Sequence, residues 1–256
     1  MKSQLHERLR RRILAECKIT TLSPLHVGVG RDFSGVSAVD MPILKDASGR
    51  AVIPGSSLRG AFRAHTTRLL NSLEKKTLKD EFYSERVVTD ENVIKDFLNA
   101  DSKHKLELFQ NFGTIGKLFG EPGFASPLRF TDATTNKTKT LIERTHVEID
   151  LGTDRAAEGG LFDVEAVRED SALDFKMIYD ELDDETMKDA NEIFYRVLLE
   201  PLANGLELYL GGMKSRGYGL CSIKLMKTVV YTPLDLALGR NPEPIKDLSQ
   251  LTGLKE

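Results

Sequence analysis

Ile13-Leu14-Ala15-Glu16-Cys17-Lys18-Ile19-Thr20-Thr21 places Ile13, Ala15, Cys17 and Ile19 in alternation with Glu16, Lys18 and Thr20. A period of two over this length predicts a strand with one face in a core and the other in water. The period returns at 162–167, where Phe162, Val164 and Ala166 alternate with Asp163, Glu165 and Val167. It returns again at 173–179, where Leu173, Phe175, Met177 and Tyr179 alternate with Asp174 and Lys176, and the polar turn Glu169-Asp170-Ser171 joins these two strands. Cys221, Ile223 and Leu225 mark a last strand. Helical patterns fill the spaces between. Pro54-Gly55-Ser56-Ser57 launches one helix, with Ser56 or Ser57 as N-cap and Leu58, Phe62, His65, Leu69 and Leu73 at helical spacing. A second starts near Asp183 with acids in its first turn, and Met187, Ala190, Phe194, Val197 and Leu198 line one face. With insertions set aside, the order is βαββαβ, which predicts an α+β fold with a ferredoxin-like (RRM-like) core.

The insertions have their own signals. Pro24 to Gly35 is a glycine-rich connection containing Gly28, Gly30 and Gly35. Val39–Lys45 and Ala51–Ile53 flank the turn Asp46-Ala47-Ser48-Gly49 and read as a hairpin. Residues 74–115 are charged and weakly patterned, which predicts short helices, and Leu128–Thr131 predicts a short strand. From Thr232 onward Pro233, Pro242 and Pro244 predict a tail wrapping the surface.

Composition narrows the function classes. The 256 residues are 40% hydrophobic and 29% charged, which excludes a disordered chain, a collagen and a disulfide scaffold. No apolar run approaches a membrane span of about 18 residues, no signal-peptide core follows Met1, and no membrane partner is expected. Cys17 and Cys221 are isolated, so no CxxC redox or cysteine-zinc site is available, and a reducing, cytoplasmic location is expected. The net charge of −3 hides an uneven distribution. Residues 143–170 hold nine acids and three Arg, a local charge of −6. The opening stretch sets Lys2, Arg8, Arg10, Arg11 and Arg12 against Glu7, and 59–68 carries Arg59, Arg63, His65 and Arg68 with no acid. A basic face within an acidic chain is compatible with nucleic-acid binding.

Gly211-Gly212-Met213-Lys214-Ser215-Arg216-Gly217-Tyr218-Gly219 is the strongest local motif. Glycines let main-chain N–H groups form a nest around phosphate, and the cations add charge-assisted contacts. The spacing fits neither GxxxxGK[ST] nor GxGxxG, and the competing reading is a tight turn. Ser56, Ser57, Arg59 and Arg63 stand at a helix N-terminus, which favours an anion, the competing reading being a capped helix with a solvated basic face. Asp40 and His26 are candidates for chemistry as well as for turn-capping and packed polar roles. Leu161-Phe162 follows the polar run 152–160 and reads either as an apolar wedge on a long hairpin or as strand core. Neither HExxH nor GxSxG occurs, and the aromatic stacking pattern of RNP-type RNA binders is missing.

Taken together, Leu22-Ser23-Pro24-Leu25-His26-Val27-Gly28, Val39-Asp40-Met41-Pro42-Ile43-Leu44-Lys45-Asp46, Ile53-Pro54-Gly55-Ser56-Ser57-Leu58-Arg59-Gly60, Leu118-Phe119-Gly120 and the 211–219 loop resemble the RAMP superfamily. Within it they are similar to the backbone subunits (Cas7 group, Csm/Cmr-like) of type III CRISPR effector complexes. The resemblance covers about 13–68 and 118–225, and fits 74–115 and 183–195 less well. It implies a single domain: a palm core at about 13–73 and 118–230, a helical insertion at 74–117, a thumb-like β-hairpin at about 142–168 and a tail at 232–256.

The resemblance further implies a subunit that grips CRISPR RNA on the palm while the thumb kinks the guide–target duplex and target RNA is cut beside each kink. Asp40 takes the position of the acidic residue required for cutting, as proton acceptor or as ligand of a weakly held Mg2+; His26 matches a family histidine. Ser56, Ser57, Arg59, Arg63, Lys214, Ser215 and Arg216 become RNA contacts, and Leu161 and Phe162 the wedge. The implied partners are CRISPR RNA, target RNA, further copies or related RAMP subunits, and other effector subunits. Two alternatives stay open: a non-catalytic RNA-binding scaffold of the same complex, and a stand-alone CRISPR RNA-processing endoribonuclease. The charge of the thumb opposes RNA at long range, so its acids either face a basic neighbouring subunit, the favoured reading, or flank the apolar wedge outside the phosphate path.

Overall fold

The computed structural model describes residues 8–28, 39–73, 86–135, 140–182, 185–245, 247, 248 and 251. Gly30, Gly35 and Asp183, like Lys2 and Glu7, lie outside the described residues. The elements in chain order are β1 (Leu9–Thr21), β2 (Val52–Ile53), α1 (Gly55–Ser72), α2 (Glu91–Asn99), α3 (Ser102–Phe109), α4 (Thr114–Phe119), β3 (Leu128–Phe130), β4 (Ala133–Thr135), β5 (Leu141–Asp150), β6 (Arg155–Val167), β7 (Ala172–Leu182), α5 (Lys188–Ile193), α6 (Glu200–Asn204), β8 (Leu206–Tyr209), β9 (Leu220–Tyr231) and α7 (Pro233–Leu238). A six-residue π-helical stretch, Phe194–Leu199, connects α5 to α6.

The main sheet is antiparallel and seven-stranded, in the order β2-β4-β7-β1-β9-β8, with β3 also on β7. Alternation decides its two faces. Ile13, Ala15, Cys17 and Ile19 of β1, Leu173, Phe175, Met177 and Tyr179 of β7, and Cys221 and Ile223 of β9 are buried. They share one core with Leu58 and Phe62 of α1 and with Phe194 and Leu198 of the α5–α6 segment. Burying one such aliphatic side chain contributes roughly 1.5–3 kcal/mol, so this face supplies much of the driving force. Burial also pushes the Cys17 and Cys221 thiols up to about 12, so neither is a thiolate at neutral pH.

Three sequence expectations change. Pro54, not Ser56 or Ser57, occupies the N-cap of α1, and no side chain of its own caps the helix. The Gly55 N–H instead donates to the Asp132 carboxylate at 2.8 Å, a partner supplied by the β3–β4 connection. The buried face of α1 runs through Leu58, Phe62, Thr66 and Leu70, so after Phe62 it is rotated by one residue from the His65, Leu69, Leu73 line. Finally, β6 and β7 are joined by the 169–171 turn but belong to different sheets. β6 pairs with β5 in a separate two-stranded hairpin, while β7 pairs with β1. Thr21 holds the chain at this divergence: its N–H donates to the Ser171 carbonyl and its carbonyl accepts from the Asp170 N–H. The weakly patterned insertion contains α2, α3 and α4, which pack through Phe97, Phe109 and Phe112, with Phe124 alongside. Among the described residues no helix is long and apolar enough to cross a membrane.

Candidate functional site

Three segments converge on the root of the β5–β6 hairpin. Residues 39–45 run alongside β6: the Met41 N–H donates to the Asp163 carbonyl at 3.1 Å and the Glu165 N–H to the Met41 carbonyl at 3.0 Å. Asp40, one residue earlier, is exposed, and its carboxylate accepts from the Asp163 N–H at 2.9 Å. A main-chain donor thus aims a solvent-facing carboxylate.

The second segment holds His26. Leu25 exchanges both main-chain bonds with Val167, at 2.9 and 2.8 Å, and His26 follows with its Nδ1 2.8 Å from the Glu165 carbonyl. A ring nitrogen facing a carbonyl carries a proton, so Nδ1–H donates to Glu165. The ring is 4% exposed and lies against Gly28, where a Cβ would fall 2.5 Å from Nε2. The His26 carbonyl accepts from the Gly212 N–H at 2.8 Å. His26 therefore ties the hairpin root to the third segment, the glycine loop.

That loop, 211–219, turns through left-handed backbone at Gly211, Met213, Gly217 and Gly219. Glycine is required where the approach is closest: a Cβ at Gly211 would lie 2.2 Å from the His26 carbonyl oxygen, and one at Gly219 2.2 Å from that of Leu210. Between them Lys214–Arg216 form one 3-10 turn with all three side chains exposed. Lys214 and Ser215 border a groove of about 510 Å3 shared with Ala61, Ala64, His65 and Arg68 of α1 and with Glu207 and Tyr209 of β8. Burial, then the nearby Arg68 charge, lowers the His65 pKa below the usual imidazole value. Lys214 and Arg68 are the basic side chains along the groove, with Glu207 as an acid beside them.

The remaining sequence candidates are placed as follows. Ser56 and Ser57 are exposed in the first turn of α1. Arg59 and Arg63 point toward the protein. Arg59 Nε donates to the Phe119 carbonyl at 3.0 Å, and Nη2 donates to the same oxygen. Arg63 Nη1 donates to the Gly120 carbonyl at 3.0 Å and Nη2 pairs with Glu121 at 2.8 Å. The two guanidinium groups thus secure the Leu118-Phe119-Gly120 turn that ends α4. Leu161 is 68% exposed, whereas Phe162 is half-buried and packs with Val164, Ala166, Met41, Ile142, Met213 and Tyr218. Of the wedge pair, only Leu161 projects.

Sequence reasoning missed Glu165. Its buried carboxylate accepts from the Ile43 N–H at 3.1 Å and pairs with Lys45 Nζ at 2.5 Å, while its main chain bonds Met41 and His26. One residue of β6 thereby fixes the segments carrying Asp40 and His26. Its only sequence signal is an acid inside an apolar alternation.

Among the described residues no group of three or more His, Cys, Asp or Glu side chains is gathered as metal ligands. Mg2+ commonly takes one or two carboxylates and completes its shell with water and phosphate oxygens. The exposed Asp40 carboxylate offers one ligand of that kind.

Residues 18–222 match the model of the RAMP superfamily. The chain is 31% identical over 222 residues to the CRISPR system Cms endoribonuclease Csm3 of Streptococcus thermophilus, covering 83% of this chain and 87% of that protein. It is 29% identical over 232 residues to the protein of the same name from Mycobacterium tuberculosis, covering 82% and 85%. A cryo-EM structure of the type III-B Cmr-beta bound to cognate target RNA is similar with a TM-score of 0.51 and 15% identity, a likeness of fold. That match covers 87% of this chain, which spans 61% of the solved one. Matched along most of its length, the chain belongs to the RAMP superfamily.

Proposed function

We propose that this chain is a backbone subunit of a type III CRISPR effector complex, binding CRISPR RNA and cutting guide-paired target RNA at regular intervals. The naming of two relatives as endoribonucleases, each aligned over more than four fifths of both chains, supports the cutting activity. The main sheet is read as a ferredoxin-like palm, supported by the order β4-β7-β1-β9 with α1 and the α5–α6 segment as its two crossings. The β5–β6 hairpin is read as the thumb, with the palm, helical insertion and tail divided as the sequence suggests.

One observation carries the site: Asp40 presents an exposed carboxylate held by the main chain of the hairpin, next to the cluster where Met41 meets the glycine loop. Guide phosphates follow the groove, with Lys214, Ser215 and Arg216 as contacts and the exposed hydroxyls of Ser56 and Ser57 at the head of α1. Arg59 and Arg63 shape this path from behind. Leu161 is the wedge residue, and Phe162 supports it. A nucleotide kinked out of A-form brings its 2′-oxygen toward in-line attack on the adjacent phosphate. Asp40 accepts the 2′-hydroxyl proton as the 2′-O–P bond forms and the P–O5′ bond breaks, leaving a 2′,3′-cyclic phosphate and a 5′-hydroxyl that takes its proton from water. A divalent ion such as Mg2+, when bound, would neutralise charge on the phosphate, with Asp40 as its protein ligand.

The test is target cleavage by the reconstituted complex, wild type against Asp40→Ala, in Mg2+ and in EDTA, with guide retention measured in the same samples. Loss of a general base lowers the rate about 100-fold or more, so regularly spaced cuts vanish with Asp40→Ala while guide stays bound. Absence of wild-type cuts with guide retained would make the chain a scaffold, and cutting of precursor guide RNA by the isolated chain would make it a processing nuclease. Undiminished cutting in EDTA would remove the metal from the scheme.

A further inference from the structure

The glycine loop and the hairpin are also joined by a side-chain hydrogen bond whose two partners, Tyr218 and His146, have no part in the Asp40 site or the guide contacts above. Tyr218, 1% exposed, places its hydroxyl 2.7 Å from His146 Nε2 on β5. The His146 ring stacks on Phe162 of β6 with centroids 5.5 Å apart and planes at 20°. Cations close both ends: Arg216 lies 5.9 Å over the Phe162 ring and Arg144 5.9 Å over the Tyr218 ring. The order across the gap is Arg216, Phe162, His146, Tyr218, Arg144, in which each of the two loop residues, Arg216 and Tyr218, lies against hairpin residues, so a rotation of either element breaks contacts of the stack.

We propose that Tyr218 and His146 are positioning residues, a hydrogen-bonded joint that sets the angle of the hairpin to the glycine loop and so places the kinked phosphate at Asp40. The inference rests on the reading of the chain as a target-cutting subunit. Two features give the joint this role. The Tyr218 hydroxyl is a directional contact in an otherwise apolar cluster, so it selects one hairpin angle where packing of Val164, Ala166 and Met213 alone would allow several. The partner strand β6, on which His146 stacks through Phe162, carries Asp163, whose N–H aims Asp40, so a change in hairpin angle moves the carboxylate with it.

Tyr218→Phe and His146→Phe each remove the hydrogen bond and keep an aromatic ring, and the double variant replaces both partners with apolar rings, which protects folding. In guide-loaded complex, each single variant is expected to slow single-turnover target cleavage about 5–10-fold and to spread the cuts onto neighbouring nucleotides, with guide retention unchanged. The double variant is expected to be no slower than the worse single, because both changes break one bond. Amide exchange at 142–147 and 161–166 rises in all three while β1 stays protected. Wild-type cut positions together with wild-type exchange in Tyr218→Phe would overturn the joint, as would independent, multiplying losses in the double variant. The two arms separate the failures. If the wild-type complex does not cut, the nuclease reading fails and with it the claim on cleavage, while exchange still decides whether the bond holds the hairpin.

Discussion

Gly211 and Gly217 both adopt left-handed backbone, with φ of +71° and +82°, yet their surroundings differ. A Cβ at Gly217 meets nothing within 4 Å, so Gly217→Ala is expected to cost only the left-handed penalty of about 1–2 kcal/mol. At Gly211 the methyl meets the His26 carbonyl oxygen, so Gly211→Ala is expected to lower the melting temperature further and to weaken guide-RNA binding through the displaced loop. Equal melting temperatures for the two variants would show that the His26 contact is unimportant. Side-chain roles divide in the same way between what composition reveals and what it hides. Lys214, Ser215 and Arg216 read as an exposed basic turn because their neighbours are glycines. Arg59 and Arg63 read the same way, yet their donors go to Phe119, Gly120 and Glu121, 57–60 positions downstream. Charge is visible in a sequence; the distant carbonyl that consumes it is not. Tyr218, the one aromatic among the loop glycines, was the available sign of the joint.

At the scale of elements, strand β1 is anchored to β7 by more than its ladder. Asp180 takes both Arg12 and Arg129. Burial raises its pKa, but the Arg12 hydrogen bonds and the Arg129 charge outweigh burial and hold the carboxyl below its ordinary value of 3.8. A carboxylate depressed in the folded state contributes stability that is fully present above its unfolded pKa and is lost as pH falls through the lower folded value. The difference in urea midpoint between wild type and Arg12→Met is therefore expected to be constant above about pH 5 and to shrink below about pH 4. A difference that persists into strong acid would assign the effect to packing. Period-two alternation identified β1, β7 and β9 because it follows from burial of one face; it also marked β6, although 164–167 are buried on both faces there. It did not show that β6 leaves the sheet, since alternation is the same whether the partner is β5 or β7; that choice rests on Leu25 and Thr21. The π-helical stretch was equally hidden, because Phe194, Val197 and Leu198 also satisfy a regular helix.

At the scale of the whole molecule, charge is segregated. Residues 143–170 carry −6 within a chain of −3, so the remainder is net positive. Guide binding is expected to weaken steeply with salt, and Lys214→Ala to reduce the slope of log affinity against log salt by about 0.7–1. An unchanged slope would place Lys214 outside the phosphate path. Reversing several exposed hairpin acids, Glu148, Asp150, Asp154 and Glu158, is expected to weaken assembly with neighbouring subunits while leaving the chain folded. Assembly at wild-type level would mean that these acids face solvent in the complex. The site as a whole was legible as motifs scattered over His26, Asp40 and 211–219. Their convergence was not, since Glu165 brings them together from more than 120 positions away from Asp40 and Ile43.

The irregularity within the hairpin has a further consequence. Between the pairs Val147–Leu161 and Ile149–Ala156, β6 advances five residues where β5 advances two. The main-chain bonds from Asp163, Glu165 and Val167 and the contacts of His146 and Phe162 with the glycine loop lie on the near side of that slip, and the far side is mostly solvent-facing, with Leu151 at 95% exposure. The hairpin is thus a fixed shank carrying an interchangeable tip. Replacing 148–160 is expected to change the reach and the assembly contacts of the hairpin while the main-chain bonds between β6 and residues 25 and 41 stay in place.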